Sequence, residues 1–211
     1  MILHNNRELF SQTLRAASQH LNILLDFVEK DYWITLILNR LALSCYADKT
    51  VFKGGTSLSK GYGMIARFSE DVDLAILHAP DRTKSEIKTI IRQVEKEITK
   101  EFDEVMEAGI TSKGSRFRKS SFKYPSHEKK NNNRVIVEIN SFGNPYPYKT
   151  LFINSFVYDF LVHTTNHAFI EEISVRTFPC ELFNQRAGFI GKIGFIDSVL
   201  LRSRLVVEYF G

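Results

Sequence analysis

One stretch restricts this chain more than any other: Phe52-Lys53-Gly54-Gly55-Thr56-Ser57-Leu58-Ser59-Lys60, followed by Asp71-Val72-Asp73-Leu74-Ala75-Ile76. Thr50-Val51-Phe52 has the β-branched and aromatic character of a short strand. It runs straight into paired glycines, and Ser57 to Gly61 reads as the first turns of a short helix. A strand that turns into a helix through glycine lets backbone N–H groups approach an anion with no Cβ in the way. The helix end there carries partial positive charge. Gly54 and Gly55, with the hydroxyls of Thr56 and Ser57, therefore form a candidate phosphate cradle. From Asp71 to Leu77 the pattern at first alternates. Val72, Leu74 and Ile76 fall on one face, and Asp71 and Asp73 on the other. Two carboxylates spaced i, i+2 on a strand stand roughly 7 Å apart along the chain. Like charges held that close are unfavourable unless a cation joins them. Hard oxygen donors in this arrangement suit Mg²⁺ (or Mn²⁺), which takes phosphate oxygens and water as its remaining ligands. Cradle and carboxylates together supply what a nucleoside triphosphate needs. Lys53, Lys60 and Arg67 flank them and can neutralise phosphate charge, and Ser69 can hydrogen-bond an aspartate or cap the turn.

The chain has 211 residues, enough for one sizeable core. No apolar run reaches the ~18 residues of a spanning helix, and Met1 to Arg15 lacks the apolar block of a signal peptide. A cytoplasmic protein with no membrane partner is expected. Cys45 and Cys180 form neither a CxxC pair nor a disulfide framework. The formal charge of +4 is unevenly placed. Residues 113 to 134 hold eight of the 28 Lys and Arg and one of the 24 Asp and Glu, so the rest of the chain is net acidic. Lys113, Arg116, Arg118, Lys119, Lys123, Lys129 and Lys130 offer a track for a phosphate-rich partner such as RNA. The same run also reads as a solvated hairpin tip.

Residues 5 to 44 read as helical, with apolar residues at Leu21, Leu24, Leu25, Val28, Trp33, Leu36, Ile37 and Leu41. Thr83 to Phe102 is the clearest helix, and Thr83 with Glu86 can form a capping box. Glu104 to Ile110, Phe117 to Tyr124 and Arg134 to Asn140 read as strands. Asn144-Pro145-Tyr146-Pro147 breaks the pattern. Phe156 to His163 reads as a short helix, Phe169 to Phe178 as a strand, and Phe189 to Phe210 as an apolar, helical stretch.

In order and spacing, the glycines and the Asp-x-Asp resemble the DNA polymerase β-like nucleotidyltransferases. Phe52 to Lys60 and Arg67-Phe68-Ser69-Glu70-Asp71-Val72-Asp73-Leu74, with Glu29-Lys30-Asp31-Tyr32-Trp33-Ile34 upstream, are similar to the AbiEii-type abortive-infection nucleotidyltransferase toxins. The resemblance implies an α/β (α+β) nucleotidyltransferase fold: a mixed sheet packed with helices after an N-terminal helical segment. It implies one domain over 1–211, with helices over 1–49, a catalytic core over 50–140 and a C-terminal portion over 141–211 that is shorter than the family's. It also implies a third carboxylate on a later strand. Glu138, a lone acid opposite the apolar face of Val135, Val137 and Ile139, is the candidate. Asp71, Asp73 and Glu138 are thus the expected catalytic and metal-holding set. The family's C-terminal Glu-Lys pair corresponds to Gly191-Lys192, so only Lys192 carries over. The implied activity moves a nucleoside monophosphate from an NTP to a hydroxyl of RNA, such as a tRNA end, or of a protein. The setting is a toxin–antitoxin or phage-defence system with a cognate antitoxin as partner. The alternative is a catalytically weak module that binds nucleotide or RNA.

Overall fold

The computed structural model describes residues 3–62, 71–77, 82–126, 133–145 and 148–164, and the strand 203–208. Its helices are α1 (Arg7–Leu21), α2 (Leu25–Leu43), α3 (Gly54–Tyr62), α4 (Lys84–Ile98) and α5 (Phe156–Thr164). Its strands are β1 (Thr50–Lys53), β2 (Asp71–Ile76), β3 (Asp103–Val105), β4 (Ser112–Lys113), β5 (Phe117–Lys123), β6 (Arg134–Asn140), β7 (Tyr148–Ile153) and β8 (Ser203–Glu208). Among the described residues, eight strands join one mixed sheet in the order β3-β5-β6-β2-β1-β8-β7, with β4 beside β5. β2 with β6 and β1 with β8 are parallel pairs. The remaining pairs are antiparallel. The expected mixed α/β architecture is what forms.

The N-terminal segment is two helices, α1 and α2. Asn6 caps α1, its side chain accepting from Leu9 N at 3.1 Å. Asn22 ends it at φ 53°, a left-handed position that asparagine tolerates better than most residues. The capping box at Thr83 and Glu86 is present in both directions. α2 is the central helix. Trp33, Ile34, Ile37, Leu38 and Leu41 are buried in one cluster with Phe52, Val72, Leu74, Val135, Val137 and Ile139 of the sheet and Ile87, Ile91, Val94 and Ile98 of α4. Each such side chain contributes about 1.5–3 kcal/mol when fully buried. This packing covers one sheet face. On β2 and β6 the alternate residues Asp71, Asp73, Ile136 and Glu138 are only half-buried and mark the opposite, more open face.

Residues 203–208 are a strand between β1 and β7, which corrects the helical reading of 189–210 at this point. The β-branched Val206-Val207 pair suits a strand. β7 was not anticipated, because Asn144 to Pro147 masked the start of its run. The strand expected over 169–178 and the rest of 189–210 lie outside the described residues. Among the described residues no helix is long and apolar enough to cross a membrane.

Candidate active site

Strand register builds the site. Asp73 on β2 stands opposite Lys53 on β1 and opposite Glu138 on β6. Glu138 in turn stands opposite Lys119 on β5. Residues opposite one another on neighbouring strands share a face, so Lys53, Asp73, Glu138 and Lys119 form one row across four strands. The charges along it run plus, minus, minus, plus. Asp71 lies on the same face, two residues before Asp73. The three expected carboxylates are thus brought together on the open face.

Two carboxyl groups stand side by side at the centre of this row. Burial pushes the Asp73 carboxyl above its ordinary 3.8, and Glu138 and Asp71 push the same way. Lys53, and more weakly Lys119, pull against them. Lys119 Nζ reaches Glu138 Oε2 at 3.5 Å, and the other Glu138 oxygen lies 3.5 Å from Asn140 Nδ2. Both side chains of the Lys119–Glu138 pair keep contact with solvent, at 30% and 22% exposure.

The glycine turn abuts this row. Gly54 has φ +79°, which L side chains rarely adopt, and a Cβ there would overlap Asp73 Oδ2 and lie 3.1 Å from Asp73 Cγ. Glycine at 54 is required twice, by backbone conformation and by the aspartate against it. Thr56 Oγ1 donates to the Asp71 carbonyl at 2.5 Å, which ties α3 to β2. Ser57 Oγ donates to the Gly54 carbonyl at 2.8 Å. Both residues are buried. Their hydroxyls shape the turn, and the donors it offers to an anion are the first backbone N–H groups of α3.

Lys60 is placed differently from the expectation that it neutralises phosphate. Its ammonium pairs with Asp31 of α2 at 2.5 Å and also donates to the Asn154 carbonyl at 3.2 Å. The other Asp31 oxygen accepts from Phe156 N at 2.8 Å. Lys53 is the lysine that register brings to Asp73. The basic segment is likewise not one free track. Arg118 pairs with Glu95 of α4, which Ser120 also reaches at 2.6 Å. Lys113 pairs with Glu104 at 2.5 Å, and Arg116 donates to the Ser141 carbonyl. Lys123 is exposed. Arg67, Ser69, Lys129, Lys130 and Lys192 lie outside the described residues. Sequence reasoning missed the Asp31 and Glu95 anchors, whose partners lie far along the chain.

Asp71, Asp73 and Glu138 are oxygen donors of the kind Mg²⁺ or Mn²⁺ prefers, and strand register and alternation set them on one face. Among the described residues no three His, Cys, Asp or Glu side chains already close around one point. A hard cation completed by water and phosphate does not need such a cage. The residues fit that cation.

Residues 36–181 match the family described as nucleotidyl transferase AbiEii toxin, type IV TA system. Similar solved structures include MenT4, a nucleotidyltransferase toxin from Mycobacterium tuberculosis, at 20% identity and a TM-score of 0.44, covering 67% of this chain and 48% of that one. JHP933 from Helicobacter pylori is similar at 19% identity and a TM-score of 0.40, covering 59% and 49%. The chain spans about half the length of these structures. A search of curated proteins gives no match. With 36–181 taking in the glycine turn, the Asp-x-Asp strand and Glu138, the chain belongs to the AbiEii nucleotidyl transferase toxin family.

Proposed function

We propose that this protein transfers a nucleoside monophosphate from an NTP to a hydroxyl of an RNA or a protein. It would act as the toxin of a toxin–antitoxin pair, with a cognate antitoxin as partner. The observation that carries the reading is the placement of Asp71, Asp73 and Glu138 on one half-open face, with Gly54 packed against Asp73. The N–H groups at the start of α3 would hold the β- and γ-phosphates. Lys53 adds positive charge beside them. Asp71, Asp73 and Glu138 would hold Mg²⁺ or Mn²⁺, which when bound supplies charge neutralisation for the phosphate oxygens. Glu138, at the far end of the acidic set from the glycine turn, would accept the acceptor hydroxyl's proton. The hydroxyl oxygen bonds to the α-phosphorus, the bond to the β-bridging oxygen breaks, and pyrophosphate leaves with the electron pair. Most of the rate gain in this scheme comes from positioning and charge.

Label transfer tests it. Purified protein is incubated with Mg²⁺, each α-labelled NTP, and total RNA or cell extract, beside the Asp71→Ala/Asp73→Ala variant. The reading predicts label on a macromolecule with the parent and a loss of at least about 100-fold with the variant. Absence of label with every NTP, in a preparation that still binds Mg²⁺-NTP, would leave a nucleotide-binding module instead.

A further inference from the structure

The open face continues past Glu138 onto β5, and there it changes character. Phe117 stands opposite Asn140 and two residues before Lys119. Arg118 and Ser120 reach Glu95 of α4 on the helix-covered side. Phe117 and Lys119 therefore share the side of the sheet that carries Glu138. Phe142 stacks on Phe117, with ring centroids 5.9 Å apart and planes 14° from parallel. Phe142 is also 64% exposed. Exposed phenylalanine is ordinary on a loose loop, but this one sits on a fixed frame. Ser141 N donates to the Arg116 carbonyl at 3.0 Å, the Arg116 guanidinium donates to the Ser141 carbonyl, and Gly114 N closes onto the Phe117 carbonyl at 2.7 Å. The backbone beneath the two rings is braced, while an aromatic face is left to solvent.

Its position relative to the glycine turn says what it could meet. In-line displacement places the attacking hydroxyl opposite the leaving pyrophosphate. The turn that would hold the pyrophosphate follows β1. Across the sheet come Asp73 on β2, Glu138 on β6, and then Lys119 and Phe117 on β5. The acceptor thus approaches from the side of β5. A protein hydroxyl has no need of an exposed aromatic plane there. A nucleotide at a single-stranded RNA end does, because its base stacks on an aromatic ring while its phosphates meet lysines. Lys119 and the exposed Lys123 lie on the same face of β5.

We propose that the Phe142–Phe117 stack is the acceptor subsite, a platform on which an unpaired base at or near the end of an RNA strand stacks while its hydroxyl is presented towards Glu138. This rests on the transferase reading for its direction, and it narrows the acceptor to RNA. The test measures binding and turnover separately. Binding of a fluorescent single-stranded oligoribonucleotide is compared for the parent, Phe142→Ala and Phe142→Trp, with binding of Mg²⁺-ATP and Mg²⁺-GTP measured alongside. Label transfer to total RNA then gives the KM for the acceptor. Phe142→Ala is expected to weaken RNA binding about tenfold and raise the acceptor KM to match, with nucleotide binding unchanged. Phe142→Trp is expected to bind RNA as well as the parent or better. RNA binding that is equal in the parent and Phe142→Ala would overturn the platform, as would a parent that binds no RNA, a matching loss of nucleotide binding, or label found only on protein. If no NTP is transferred but Phe142→Ala still loses RNA and Phe142→Trp retains it, the transferase reading fails and the platform stands.

Discussion

Asp73 is constrained from three sides. It is pressed by Gly54 from one side, faces Glu138 across a parallel pair, and is balanced by Lys53. Its carboxyl is raised mainly by burial, with two acids adding to the effect. The stability consequence follows from proton linkage. Between the ordinary value of 3.8 and the raised folded value, the native state binds more protons at Asp73 than the unfolded state does. The contribution of Asp73 to stability therefore falls as pH rises through that window, and the full cost is present above the raised folded value. Asp73→Asn should raise the melting temperature near neutral pH, and the gain should shrink as pH falls towards 3.8. Mg²⁺ should raise the melting temperature of the parent, and the same variant should lose that rise. Thermal melts at several pH values, with and without Mg²⁺, check both; a variant less stable than the parent at neutral pH would contradict the strained-acid account. At this scale much of the candidate site was legible: Gly54, Asp71 and Asp73 stand out by local spacing and alternation, and Glu138 entered through the third carboxylate that the family resemblance implies. Lys119 was legible only as part of a basic run. Its pairing with Glu138 depends on the register of β5 against β6, which no local pattern specifies.

Among the elements, α3 matters most, because it begins at the glycine turn and must be held in place. Thr56 ties its first turn to β2, and Lys60 ties its later part to α2 and α5 through Asp31. The Lys60 and Asp31 side chains are only 9% and 4% exposed. Removing one partner of such a buried pair leaves an uncompensated charge and costs about 3–5 kcal/mol. Asp31→Ala should destabilise by that order in urea unfolding. Asp31→Leu combined with Lys60→Met should recover most of the loss. If the double variant is as unstable as the single, the pair's charge is not what holds α3. The α4 helix was readable from its stripe and capping box, and β6 from its alternation. The break at Asn22 was not, since one asparagine between two apolar-periodic runs is a weak stop signal. The strand 203–208 was misread because a short apolar run does not separate strand from helix by periodicity alone.

At the scale of the whole molecule, one sheet face is closed by α2 and α4 and the other displays the acids. The mixed topology is what produces this. β2 and β6 run parallel, so Asp73 and Glu138 meet at the same level although 65 positions separate their numbers in the sequence. β8 inserts beside β1, so residues 203–208 lie against the strand that leads into the glycine turn. The resemblance implies a mixed sheet, but the strand beside β1 runs against the helical reading of 189–210. The central claim is that the glycine turn and the acidic row form a single nucleotide site. The most direct test is a crystal structure of the protein with Mg²⁺ and an NTP analogue whose α,β-bridge cannot be cleaved. The account predicts metal density at Asp71 and Asp73, with Glu138 beside it and the terminal phosphates against the backbone N–H groups after Gly54. A triphosphate bound elsewhere, with the row Lys53, Asp73, Glu138, Lys119 unchanged, would contradict it.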